Sequence, residues 1–114
     1  METRRRVGPF QHTSEYVLYR ERANSFPALL MMGGLEFDCG PHAILSNKPV
    51  SLSLDGLQGG LLSTRPDTRV EFHSPAIRSG DKFLLDGATT IASADGFLLI
   101  SLNQPGEHIL NRAP

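Results

Sequence analysis

Apolar residues in this chain come in short bursts, and almost every burst is closed by a turn-forming residue. From Tyr16 onward the bursts occupy residues 16–19, 28–32, 35–37, 43–45, 50–54, 60–63, 69–72, 82–85, 88–92, 97–102 and 108–110. Between them stand Gly33-Gly34, Cys39-Gly40-Pro41, Asn47-Lys48-Pro49, Asp55-Gly56, Arg65-Pro66-Asp67, Ser79-Gly80-Asp81, Asp86-Gly87, Asp95-Gly96 and Gln104-Pro105-Gly106. Regularly spaced short runs bounded by Gly, Pro, Asn and Asp predict a β-sandwich or barrel. Only residues 14–24 could be helical, with Ser14 as a cap. Their Tyr and Val content and the alternation of Val17, Tyr19 and Glu21 favour a strand.

Two runs carry further detail. Residues 50–54 (VSLSL) alternate strictly, as a strand with one wet face does. Residues 97–102 (FLLISL) are nearly continuous, the pattern of a strand covered on both faces. Three Asp-Gly pairs, at 55-56, 86-87 and 95-96, suit tight hairpins because glycine accepts positive φ. The pair 95-96 is expected to join residues 88–92 and 97–102 in a hairpin. Pro105-Gly106 predicts a type II turn into the last strand.

At 114 residues the chain has room for one domain. Its 11 Gly and 8 Pro are spread along the whole length, which disfavours a helix bundle. The expected architecture is all-β: a small antiparallel β-sandwich, immunoglobulin-like or jelly-roll-like, of about eight to ten short strands. A small β-barrel is the alternative. Residues 1–15 have few core formers and are expected to form an extended N-terminal arm, with 16–114 as the sandwich domain. An internal echo links residues 36–56 to 71–87: both run Glu-Phe, Pro, Ala-Ile, Ser, Lys and Leu-Asp-Gly, though not at constant offsets. Either a strand–loop–strand–turn unit is repeated, or common turn and strand words recur by chance.

Charge then divides the chain. The net charge is −1, but residues 1–22 hold five Arg and three Glu, leaving −3 on the remainder. No global field draws the protein to nucleic acid or anionic lipid. Arg4, Arg5 and Arg6, with Phe10, Tyr16 and Tyr19, are the candidate partner-binding residues of the arm. Arginines among aromatics can track phosphates and stack bases. The interleaved glutamates favour a protein partner instead, and leave an arm-mediated nucleic-acid binder as an alternative. The longest apolar run, residues 26–35, falls short of a bilayer span and contains Pro and Gly. With no export signal in the residues given, synthesis in the cytoplasm without membrane association is expected.

Candidate chemistry is sparse. A single cysteine, Cys39, excludes an internal disulfide framework and leaves this thiol without an assigned role. Asp38, His42, Glu71 and His73 are weak candidates for a metal, because three or four ligands would have to converge at about 2 Å. Gly40-Pro41 prevents a helical pairing of Asp38 with His42. Ser79-Gly80-Asp81-Lys82 matches a Ser-x-x-Lys pattern in letters only, since its Gly-Asp centre predicts a turn. No catalytic residue, metal or cofactor is assigned. The expectation is a non-enzymatic structural or interaction module, self-associating or docked on a larger assembly, of which a virus particle is one example. The alternative from another class is a small β-barrel metal- or ligand-binding protein or enzyme using Asp38, His42, Glu71 and His73.

Overall fold

The computed structural model describes residues 2–7, 14–19, 26 and 28–113, with the first two segments and Cys39 described through their backbone. Ten strands and no helix are found among them: β1 (Glu2–Val7), β2 (Ser14–Tyr19), β3 (Ala28–Cys39), β4 (His42–Leu54), β5 (Gly59–Ser63), β6 (Thr68–His73), β7 (Lys82–Leu85), β8 (Ala88–Ile91), β9 (Phe97–Leu102) and β10 (Gly106–Arg112). All pairings are antiparallel. The all-β class read from the sequence is the observed one, in a sheet that curls nearly into a barrel.

The layout rests on one long hairpin. β3 and β4 have 12 and 13 residues, against the short strands expected. Their turn is Gly40-Pro41, with Gly40 at φ 59°. Positive φ followed by the fixed φ of proline matches the type II′ turn that suits strand twist. Each strand serves two parts of the one sheet. The near end, with Phe37 opposite Ile44, continues through β6 to β9. The far end, with Leu29 opposite Leu54, lies between β2 and β5 in the series β1-β2-β3-β4-β5-β10-β7-β8.

β4 changes partner at a corner. Residues 43–46 pair with β6 and residues 50–54 with β5. Pro49, which has no N–H to give a ladder, stands between them. The corner is tied to β6 by Asn47, whose Oδ1 accepts from Arg69 N at 2.7 Å, and to the loop before β6 by Lys48 Nζ donating to Pro66 O at 2.7 Å. Strand bends of this kind let one sheet fold over a core.

That core is built from alternate positions. Met31, Val50, Leu52, Leu61, Phe83 and Leu110 from one layer meet Phe37, Ile44, Val70, Phe72, Leu98 and Ile100 from the other. Phe26 closes one end with its ring 6.5 Å from Phe37, 6.0 Å from Phe72 and 5.6 Å from His42. Arg112 covers another part: its guanidinium lies 5.1 Å from the Phe83 ring centre and donates to Ala76 O and Gly56 O.

Several expectations need revision. The Asp95-Gly96 turn does not join a hairpin, because β8 pairs with β7 and β9 with β6. Ala92 is held by Asp81, its N–H donating to Asp81 O at 2.9 Å, and Gly96 N donates to Ile77 O at 2.7 Å. These bonds carry the chain from one layer to the other. β9 is buried on alternate positions only, so its continuous apolar run does not reflect cover on both faces. Of the segment expected as an extended arm, residues 2–7 form strand β1 in register with β2, which starts at Ser14. The echo is structural in its first and last words: Leu54-Asp55-Gly56 and Leu85-Asp86-Gly87 each leave a strand and open a hairpin. Phe37 and Phe72 are both register partners of Ile44, whereas Ala43-Ile44 lies in a strand and Ala76-Ile77 in a turn.

Candidate interaction face

Where β3, β4, β5 and β10 run side by side, their outward residues form a shallow trough of about 370 Å³. Register defines its cross-section: Leu30 stands opposite Ser53, Ser53 opposite Gly60, and Gly60 opposite Ile109. One step along, Ser51 stands opposite Leu62 and Leu62 opposite Glu107. Ser51, Ser53 and Gly60 make a low floor, while Leu30 and Met32 rise on one side and Ile109 on the other. The walls are apolar and wet: Met32 is 64% exposed and Ile109 49%. Met31, one residue away, is fully buried, so the Met pair splits between core and surface.

The floor depends on Gly59. Its φ of 146° lies outside the usual range of side-chain-bearing residues, and a Cβ there would overlap the carbonyl oxygen of Ser53. The close approach of β4 and β5 therefore requires glycine at that position.

Beneath one wall lies a polar clasp. Asp86 and Gly87 form the β7–β8 turn, both with positive φ (51° and 85°), as a type I′ turn demands. Asp86 N donates to Ile109 O at 2.8 Å, and Asp86 Oδ1 accepts from Ile109 N at 2.7 Å. The other carboxylate oxygen meets His108 Nδ1 at 2.6 Å, and His108 Nε2 lies 2.7 Å from Gln104 O. Both ring nitrogens thus face acceptors, an arrangement satisfied only when both carry protons. Burial is the largest single influence on each group and opposes its charge. For His108 it is outweighed by the hydrogen bonds to Asp86 and Gln104 and the carboxylate's charge, which hold the imidazole above its ordinary value. For Asp86 it is outweighed by the Ile109 N–H and His108, which hold the carboxyl below its own. The sequence reading did not single out this pair. The signal it offered was an inward-facing His108 in an alternating strand, with an Asp-Gly turn to meet it.

The metal candidates do not meet at one point. His42 is buried, with Nδ1 2.8 Å from Ser74 Oγ. Glu71 and His73 lie two apart on the outer face of β6, with Oε1 and Nε2 3.3 Å apart and the imidazole ring 5.3 Å from that of Phe97. Asp38 is on the same face, but Ala43 stands between it and His73 in the register, a gap of roughly 10 Å. Among the described residues no three His, Cys, Asp or Glu side chains gather to hold a metal ion.

Arg4, Arg5 and Arg6 fall on β1, and Tyr16 and Tyr19 on β2. Their side chains, Phe10 and the Cys39 thiol lie outside the described residues. No helix among the described residues is long and apolar enough to cross a membrane. Comparison with known proteins gives no match to a family model, a curated protein or a solved structure.

Proposed function

We propose that this chain is a non-enzymatic protein-interaction module that docks through the outer face of β3, β4, β5 and β10. One observation carries the reading. Leu30, Met32, Leu62 and Ile109 are grouped on a sheet face that normally alternates to polar residues when it meets water. Four strands of five residues present roughly 330 Å² of flat sheet. Exposed apolar patches of a few hundred Å² are where soluble domains commonly meet partners.

A photo-crosslinking side chain placed at Ser53, on the trough floor, tests it. The control position is Ser101, exposed on the outer face of β9. The expected outcome in cells that make the protein is a defined protein adduct from position 53, identified by mass spectrometry, and none from position 101. Absence of any protein adduct from position 53, or identical products from both positions, would overturn the reading.

A further inference from the structure

Three times this chain sets Asp directly before Gly, and the fold treats the three pairs differently. Such a pair is open to a reaction with itself, because glycine has no side chain to shield its amide nitrogen. The Gly nitrogen attacks Cγ of the preceding Asp in its acid form, and the new C–N bond closes a five-membered imide. The N–H hydrogen and the hydroxyl of the acid leave together as water. Water then adds back to one of the two imide carbonyls. One opening restores Asp. The other gives isoaspartate, in which the main chain runs through the former side chain and is one carbon longer. Both the Gly nitrogen and the Asp carboxyl must be released from other hydrogen bonds before they can react.

Asp86-Gly87 withholds the carboxyl. Oδ1 accepts from Ile109 N at 2.7 Å and Oδ2 meets His108 Nδ1 at 2.6 Å, so both oxygens are occupied and the ionised form is favoured. Asp95-Gly96 withholds both groups. Gly96 N donates to Ile77 O at 2.7 Å. Asp95 Oδ1 accepts from Ser79 N at 2.8 Å and lies 3.7 Å from Arg78 Nε.

Asp55-Gly56 withholds neither. Asp55 is exposed, and among the described residues its carboxylate has no hydrogen bond or ion pair and Gly56 N donates to no acceptor. The turn explains this freedom. Asp55 N donates to Gln58 O at 2.8 Å and Gln58 N to Asp55 O at 3.2 Å, around Gly56 and Leu57 with φ of 63° and 66°. Two positive φ values define a type I′ turn, which leaves the N–H groups of its central residues outside the bonded pair. The space beside Gly56 is open as well, since a Cβ there would meet nothing within 4 Å.

We infer that Asp55-Gly56 is a modification site, at which the folded chain converts Asp55 to isoaspartate while the other two pairs are protected. This inference is independent of the interaction reading. The extra backbone carbon lengthens the two-residue turn that closes β4 against β5, so the exchange of bonds between Asp55 and Gln58 is lost.

The test incubates the full chain, folded, at near-neutral pH for several weeks. Isoaspartate at each pair is measured by peptide mapping, with methyl transfer by an isoaspartyl methyltransferase as the label. Asp55 is expected to convert at least about tenfold faster than Asp86 or Asp95, each of which must first give up a hydrogen bond made by its charged carboxylate. In urea the three pairs should convert at similar rates, because only the dipeptide then matters. Asp55→Glu keeps the charge but would require a six-membered ring, and should remove product at this position alone. Circular dichroism verifies that this variant and the incubated wild type are folded. Conversion at Asp55 no faster than at the other two pairs of the folded chain overturns the inference. So does a folded chain without product at Asp55 over a period in which the chain in urea converts there. The same preference for Asp55 in urea would assign it to local sequence and not to the fold, and overturns the protection of the other two.

Discussion

The two outer faces of this domain differ less in how many apolar residues they expose than in how those residues are spaced. On the β3–β4–β6–β9 face, Leu45 and Leu99 are 43% and 41% exposed, close to the 43% of Leu62 in the trough. Register, however, sets Leu45 between Glu36 and Glu71, and Leu99 beside Glu71. Every leucine there has a carboxylate as its cross-strand neighbour. In the trough, Leu62 does have Glu107 beside it, but the adjoining row Leu30–Ser53–Gly60–Ile109 contains no charge. Charges that separate leucines keep a face in water, and their absence leaves a continuous apolar strip. Exposure of single residues would not have told the faces apart.

That contrast can be broken most severely from below. Gly59→Ala forces a Cβ into the Ser53 carbonyl, separating β4 from β5 under the trough. A loss of about 3 kcal/mol in urea unfolding is expected. In hydrogen exchange, amides of β4 and β5 should lose protection before those of β6 and β9. Uniform loss over both layers would show that the trough has no separate dependence on this contact.

The clasp under the β10 wall gives a smaller and pH-dependent effect. His108 is held above its ordinary value of about 6.5, so its contribution is complete below that pH and disappears as pH rises through the folded value. Asp86 is held below about 3.9, so its contribution is present above that pH and disappears as acid carries the carboxyl through its folded value. Both contributions are complete between pH ~4 and 6.5. Asp86→Asn should cost about 1 kcal/mol in that window, because the carboxylate is partly wet, and should remove the decline above it. Thermal melts at pH 5.5 and pH 9 measure this; equal losses at both would show that His108 is not charged in the fold.

The smallest stability effect sharpens the comparison most. Leu62→Lys and Leu99→Lys replace leucines of similar exposure on opposite faces, and each should change stability by less than about 0.5 kcal/mol. Only Leu62→Lys is expected to reduce the protein adduct formed from a crosslinker at position 53. A matching effect from Leu99→Lys would remove the distinction between the faces.

Local rules carried much of the fold. The alternation of residues 50–54 correctly separates inward Val50, Leu52 and Leu54 from outward Ser51 and Ser53, and Asp86-Gly87 is a two-residue hairpin turn. At Asp95-Gly96, which has the same letters, the tight turn forms, with Phe97 N donating to Ala94 O at 3.3 Å, but the hairpin of β8 with β9 does not. The difference is that Ala92 and Gly96 bond to the 77–81 segment, a contact set by tertiary placement. The length of β4 was hidden for a related reason. Asn47-Lys48-Pro49 reads as a loop, yet acts as a bend in a strand whose two halves have different partners. At the site, the Leu-Leu-Met-Met run was visible as an apolar segment, but its division into core and trough depends on which neighbours β3 acquires. Serines and a glycine as groove floor have no sequence signature, because their role is to be small beside large residues of other strands.

The position of β10 has a consequence for how the protein comes into being. Gly106–Arg112 enters between β5 and β7, pairing with both, and the β7–β8 hairpin joins the rest of its layer through that strand. A nascent chain can zip the β3–β4 hairpin once residue 54 has emerged from the ribosome, since that pairing is local in sequence. It cannot complete the trough, or seat Asp86 against His108, until residues 106–112 have emerged from the ribosome. Until then β5 and β7 present unpaired edges, and distant pairings of this kind are the slow ones in folding. The last wall of the proposed interface is thus the last of its four strands to arrive, and the face stays incomplete until residue 112 has emerged.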